Sequence, residues 1–161
     1  MATRGRTFFI SAGAAVLLLA LATGSPAQEQ SHSGSFAFTT TSSDEMPLSD
    51  GQVLVRVVQT GLVLADDPTS PIDRTATLCT GSTVMDASGM ATVISGVCDG
   101  VDADGSVWTA WYGGDQQGGA WGYMGGTGKF EGIKGGGTFS AEVQWSDGRG
   151  INSWEGTYTL R

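Results

Sequence analysis

In 161 residues this chain sets sixteen acidic side chains against eight basic ones, with a single histidine and two cysteines. The acidic surplus, and basic residues that are scattered rather than clustered, argue against phosphate backbones and anionic membranes as partners. A lone histidine cannot build a metal site by itself, and no Ser-His-Asp set, Gly-x-Ser-x-Gly or His-Glu-x-x-His pattern is present.

Residues 1–27 read as a removable export signal. Arg4 and Arg6 form the basic start, Phe8 to Leu21 a short apolar run, and Ser25-Pro26-Ala27 a small-residue cleavage site. The run falls short of the roughly 20 strongly apolar residues of a membrane span. The expected location is therefore periplasmic or secreted, with no membrane span after removal of the signal. Residues 28–49 are polar and are expected to form a leader with one strand at 35–41. His32 in this leader is expected to be solvated.

The barrel domain is expected over 50–161. Gln52 to Ala65 predicts a long strand with Val53, Val55 and Val57 on one face and Leu54, Val58, Leu62 and Leu64 on the other. Arg56 interrupts the second face, as a snorkelling edge residue or as a cation inside a lumen. Asp66 to Pro71 reads as a loop, and no proline follows it, which suits a run of hydrogen-bonded strands. Strand-like runs then come at 74–85, 90–98, 105–112, 118–124, 138–145 and 151–160. Short strands at this spacing, without helical periodicity, predict an all-β fold: a single antiparallel β-barrel of about eight strands, calycin-like.

In an exported chain, Cys79 and Cys98 predict a disulfide. A hairpin centred between Ser88 and Gly89 places them directly opposite one another. A four-residue turn, Ala87 to Met90, puts them at the closer, non-hydrogen-bonded kind of site.

Gly125 to Phe139 contains seven glycines in fifteen residues. It is not a phosphate loop, because Tyr123 and Phe130 stand where that motif needs glycine and Ser or Thr. Glu131 likewise breaks the dinucleotide pattern. The stretch reads as a backbone device, a tight turn leading into the strand at 138–145. Asp99, Asp102 and Asp104 beside Gly105 read as a hairpin turn, with weak calcium binding as the lesser alternative.

All five tryptophans fall between Trp108 and Trp154. Trp111, Trp121, Tyr123, Trp145, Trp154 and Tyr158, with Arg56, are the candidate ligand-contacting residues. The aromatic faces either pack a barrel shut or line a lumen around an apolar ligand. No catalytic set and no cofactor is indicated.

The run Gly126 to Phe139 (GTGKFEGIKGGGTF) is similar to the late-strand signature of the allene oxide cyclase-like and dirigent-like barrel superfamily. The stretches Gly96-Val97-Cys98, Asp102-Ala103-Asp104-Gly105 and Trp154-Glu155-Gly156-Thr157-Tyr158 resemble its bacterial secreted members. The resemblance spans residue 78 to the C-terminus and implies the fold. The superfamily includes oxylipin cyclases and proteins that steer radical coupling, but their catalytic carboxylates and tyrosines do not align here. The leading expectation is an exported barrel binding a small apolar or amphipathic molecule. The alternatives are a cofactor-free cyclase or isomerase, and a filled, oligomer-forming envelope module; a second copy of the chain is an open partner.

Overall fold

The computed structural model describes residues 28–160; the expected export signal lies outside them. Eight strands follow one another as an up-and-down meander that closes on itself. They are β1 (Gln30–Pro47), β2 (Val53–Ala65), β3 (Ala76–Met85), β4 (Ala91–Val101), β5 (Val107–Gly114), β6 (Gly118–Gly126), β7 (Lys134–Gln144) and β8 (Arg149–Thr159). All neighbours are antiparallel, and the ring is sealed by β1 against β8, from Gln30 opposite Tyr158 to Thr39 opposite Arg149.

The sealing strand corrects the sequence reading. The polar segment 28–49 is not a leader with a short strand at 35–41. It is mostly β1, the longest strand in the barrel. Its residues alternate small or polar groups with Phe36 and Phe38, and closure turns that modest pattern into a complete inner face. The first barrel residues thus lie some twenty positions before residue 50.

Alternation along the strands fixes what faces inward. On β2 the inward set is Val55, Val57, Gln59 and Val63; on β5 it is Trp108, Ala110 and Tyr112. At Met124 a bulge in β6 shifts the register by one, so that Tyr123 still pairs with inward-facing Ala110. Met124 itself is turned out, 62 % exposed.

Glycine makes room for the inner rings. Gly100 pairs with Trp108, Gly96 with Tyr112, Gly34 with Trp154 and Gly150 with Phe38. In each pair the ring lies across the glycine, where a Cβ would overlap ring atoms. A narrow barrel with this many aromatic rings requires such bare backbone beside them.

The two ends differ. One is stoppered by the β2–β3 and β6–β7 connections, which sink Ile72, Phe130 and Ile133 beneath Val63, Trp108, Trp154 and Tyr158. The glycine-rich stretch is thereby explained in two parts. Gly128 to Phe130 form a 3-10 turn in which Gly128 has φ +59° and a Cβ there would collide with the Ser106 hydroxyl, while 134–137 already belong to β7. The Lys129 N–H donates to Ser106 Oγ (3.1 Å), and the Lys129 ammonium pairs with Asp102, tying this turn to the β4–β5 hairpin.

Cys79 and Cys98 are register partners and form a disulfide, with Cα atoms 4.0 Å apart, as expected of the closer kind of antiparallel site. The turn between them differs in detail from the expected four residues. Asp86 pairs with Met90 around Ala87, Ser88 and Gly89, Gly89 has φ +82°, and a bulge at Thr92, facing Val84 and Met85, restores the register.

Two outcomes follow. Cys79→Ser should lose about 3 kcal/mol of stability to denaturant under oxidising conditions, from loop closure, and almost nothing relative to reduced wild type; equal loss in both states refutes the disulfide. Gly100→Ala should destabilise by roughly 1–3 kcal/mol through collision with Trp108. Gly113→Ala, whose nearest neighbour would be the Ile94 carbonyl at 3.5 Å, should be close to neutral in the same melts.

Candidate functional site

The barrel is filled at the stoppered end and hollow at the other. A cavity of about 350 Å³ runs from Trp154, Tyr123 and Thr77 to a mouth between the hairpin turns, bordered by Met85, Asp115, Gln116 and Gln144. Neither alternative for the aromatic faces is therefore complete by itself: some rings pack the barrel shut and others line the space above them.

The candidate residues divide accordingly. Trp121, Tyr123 and Trp154 border the cavity at its inner end, and Tyr158 packs below them. Their rings meet edge to face, with Trp121 centroids 5.2 Å from Tyr123 and 6.1 Å from Trp154. Trp145 and Arg56 do not join them. Trp145 lies on the outer surface beside Leu62, 44 % exposed, with the Arg149 guanidinium 5.6 Å from its ring. Arg56 is exposed on the outer face of β2, in register with Asp44 and Ser82, so it is not a lumen cation. Trp111 borders the cavity wall, but it stands on the strand face opposite Ala110 and Tyr112. It is 45 % exposed, with its indole over Gly122.

The expectation for His32 is overturned. It is 7 % exposed, inside the barrel, and surrounded by Tyr158 (centroids 4.8 Å), Trp154 (4.9 Å), Trp121 (5.7 Å) and Tyr123 (6.3 Å). β1 pairs it with Gly156 of β8, and that pairing carries it into the interior. The only sequence signal for this was its even spacing from Phe36 and Phe38, which extends their face by two further positions, Gly34 and His32, toward the N-terminus.

Hydrogen bonding separates two kinds of polar group here. The Trp108 indole N–H donates to Thr75 Oγ1 (3.2 Å), the Trp121 N–H to the Thr138 carbonyl (3.1 Å) and the Tyr158 hydroxyl to Gln30 Oε1 (2.6 Å). Both His32 nitrogens, Thr77 Oγ1, the Tyr123 hydroxyl and Trp154 Nε1 are buried with no protein partner. Leaving such groups unpaired is costly, and a natural fold keeps few of them.

Electrostatically the inner end is neutral. Burial pushes the His32 imidazole down to about 4 and the Tyr123 hydroxyl above the usual tyrosine range, the latter reinforced by Tyr158. Tyr158 is also pushed up, by burial first and then by Asp67. The three aspartates of the calcium alternative are engaged separately: Asp99 accepts from Thr109 Oγ1, Asp104 from the Ser106 N–H, and Asp102 pairs with Lys129. Among the described residues no three His, Cys, Asp or Glu side chains are grouped to hold a metal ion. The described residues contain no helix long and apolar enough to cross a membrane.

His32 gives the stability a pH signature. In the unfolded chain it binds a proton below about pH 6.5, but in the folded protein only below about 4. Between these values the unfolded state holds more protons, so stability falls as pH drops from 6.5 toward 4. Asp67, Asp86, Asp102 and Asp147 are held below the usual carboxylate range by hydrogen bonds, first from the Thr69 N–H, the Ser88 hydroxyl, the Lys129 ammonium and the Arg149 N–H respectively, and they act at lower pH. His32→Gln should flatten the melting-temperature profile between pH 6.5 and 4 and leave the steeper loss below it; an unchanged profile would place the histidine in solvent.

Comparison by sequence finds no matching family profile and no matching curated protein. Comparison by structure finds the pterocarpan synthase dirigent protein GePTS1, 14 % identical, at a TM-score of 0.51 over 83 % of this chain and 87 % of that one. It also finds the pterocarpan synthase dirigent protein PsPTS1, 10 % identical, at a TM-score of 0.51 over 83 % of this chain and 96 % of that one. In both cases the likeness covers nearly all of the described barrel. The chain shares its closed eight-stranded barrel fold with these dirigent proteins.

Proposed function

We propose that this is an exported barrel that binds one small apolar or amphipathic molecule in its lumen. The observation that carries the reading is the hollow half of the barrel: about 350 Å³, walled by Phe36, Phe38, Ile94, Tyr112 and Phe139 and open at one end. That volume is in the range of small-molecule sites, and a mostly apolar wall with a few polar groups at one end is their usual composition. The disulfide is compatible with an oxidising compartment, in line with the export signal read at 1–27.

A second reading, a cofactor-free isomerase or cyclase in which the lumen holds a reactive conformer, draws on the titratable pair at the inner end. Tyr123 borders the cavity, and His32 lies behind it. The two dirigent proteins of similar fold are pterocarpan synthases, which lends this reading support. Binding is favoured because the inner end of the cavity is bordered by no carboxylate or imidazole that could act as a base, Asp115 lying at the mouth.

Native mass spectrometry of protein purified from its own host tests the proposal. The expected result is a co-purifying small molecule that is lost in Ala110→Phe, a substitution that fills the lumen from β5. In titrations with apolar probes, the tryptophan emission change should persist in Trp145→Phe and shrink in Trp154→Phe. Repeated absence of a bound species, together with flat titrations of wild type, would reject a binding lumen in favour of a purely structural barrel.

A further inference from the structure

Three residues that border the cavity carry buried polar atoms with no partner: Thr77 Oγ1, the Tyr123 hydroxyl and Trp154 Nε1. Thr77 and Trp154 are themselves 6 % and 8 % exposed. They are set around the same inner end. Tyr123 and Trp154 both flank Trp121, and Tyr123 meets the edge of Trp108 at 6.0 Å, whose strand partner Gly100 is in turn the register partner of Thr77.

Their chemistry limits what can satisfy them. An indole N–H only donates, and the two hydroxyls can donate as well, so the complementary group is an acceptor. Charge limits it further. No lysine, arginine or histidine borders the cavity, and its one charged residue, Asp115, is at the mouth, where it accepts from the Gln117 N–H. A carboxylate, a phosphate or an ammonium at the inner end would each be buried without a counter-charge beside it.

We infer that the lumen selects an electrically neutral molecule with an apolar body, whose inner end carries a carbonyl or ether oxygen that accepts one hydrogen bond from Tyr123 and a second from Thr77 or Trp154. This rests on the lumen-binding reading and names the class of ligand for it. A carbonyl fits well: it brings two lone pairs and no hydrogen that would need an acceptor of its own. With no protein group to pair them, these donors are a source of selectivity, because a site built to hydrogen-bond an oxygen discriminates strongly against an analogue lacking it.

The test uses displacement of the neutral fluorophore N-phenyl-1-naphthylamine by four probes of similar length: decan-2-one, undec-1-ene, decanoate and decylammonium. Decan-2-one should bind at least tenfold more tightly than either charged probe and several-fold more tightly than the alkene. Tyr123→Phe should weaken decan-2-one about three- to tenfold, the factor of one lost hydrogen bond, while leaving the alkene unchanged. Because the hydroxyl it removes is unpaired, this variant should melt no lower than wild type; Thr77→Val provides the same comparison from another strand. Equal affinity for ketone and alkene overturns the inference but keeps the lumen as an apolar site whose donors are served by water. Tightest binding of decanoate or decylammonium also overturns it. Failure of the fluorophore and every probe to bind rejects both the inference and the lumen-binding reading.

Discussion

Closure of the sheet is the constraint on which everything else in this molecule depends. When β1 seals against β8, the barrel loses its free edges over the paired length, and its inner face becomes a volume of fixed width. Eight strands leave an interior that side chains can fill or a single ligand can occupy. Several of the large rings enter where the neighbouring strand offers bare backbone. The pairings of Gly100 with Trp108, Gly96 with Tyr112 and Gly34 with Trp154 are of this kind. The abundance of glycine in this chain is thus the counterpart of its aromatic interior.

The interior is used unequally along its length. Toward the β2–β3 and β6–β7 connections, Ile72, Phe130 and Ile133 complete a packed core, and the Lys129–Asp102 pair holds two of the connections together. Toward the other end the same strands enclose space. Between the two lies a collar of aromatic rings whose polar atoms are partly satisfied and partly not. Trp108, Trp121 and Tyr158 are anchored by hydrogen bonds; Tyr123, Trp154, Thr77 and His32 are left with none from the protein. Folds keep few such unpaired groups, and here four of the residues that carry them lie together at the inner end of the barrel.

Several features could be read from residues alone because their causes are local. Strand positions from 52 onward follow from alternation and turn chemistry. The pairing of Cys79 with Cys98 follows from the arithmetic of one hairpin, although the turn itself uses a three-residue loop and a bulge. The glycine stretch was recognisable as a backbone device, but its division into a 3-10 turn and the start of β7 was not, since consecutive glycines carry no pattern that marks a boundary. β1 was under-read for a different reason. Its Ser, Thr and Gly content resembles a solvated segment, and only long-range pairing on both sides makes it a strand.

Composition and spacing by themselves determined an all-β chain, an acidic character and one disulfide, and the run Gly126 to Phe139 added a resemblance to the dirigent-like barrels. They did not determine which face of each strand is the inside. β2 is apolar on both faces, so alternation names two sets without ranking them, and the same ambiguity holds for Trp111 against Trp108. Only the closed tertiary structure decided that Val55, Val57 and Val63 face the lumen while Leu62, Leu64 and Arg56 face out. It also placed Trp145 on the outer surface and drew His32 into the centre of the aromatic collar. The physical reason is that inside and outside are properties of the ring, created when the first strand pairs with the last across more than a hundred residues of sequence.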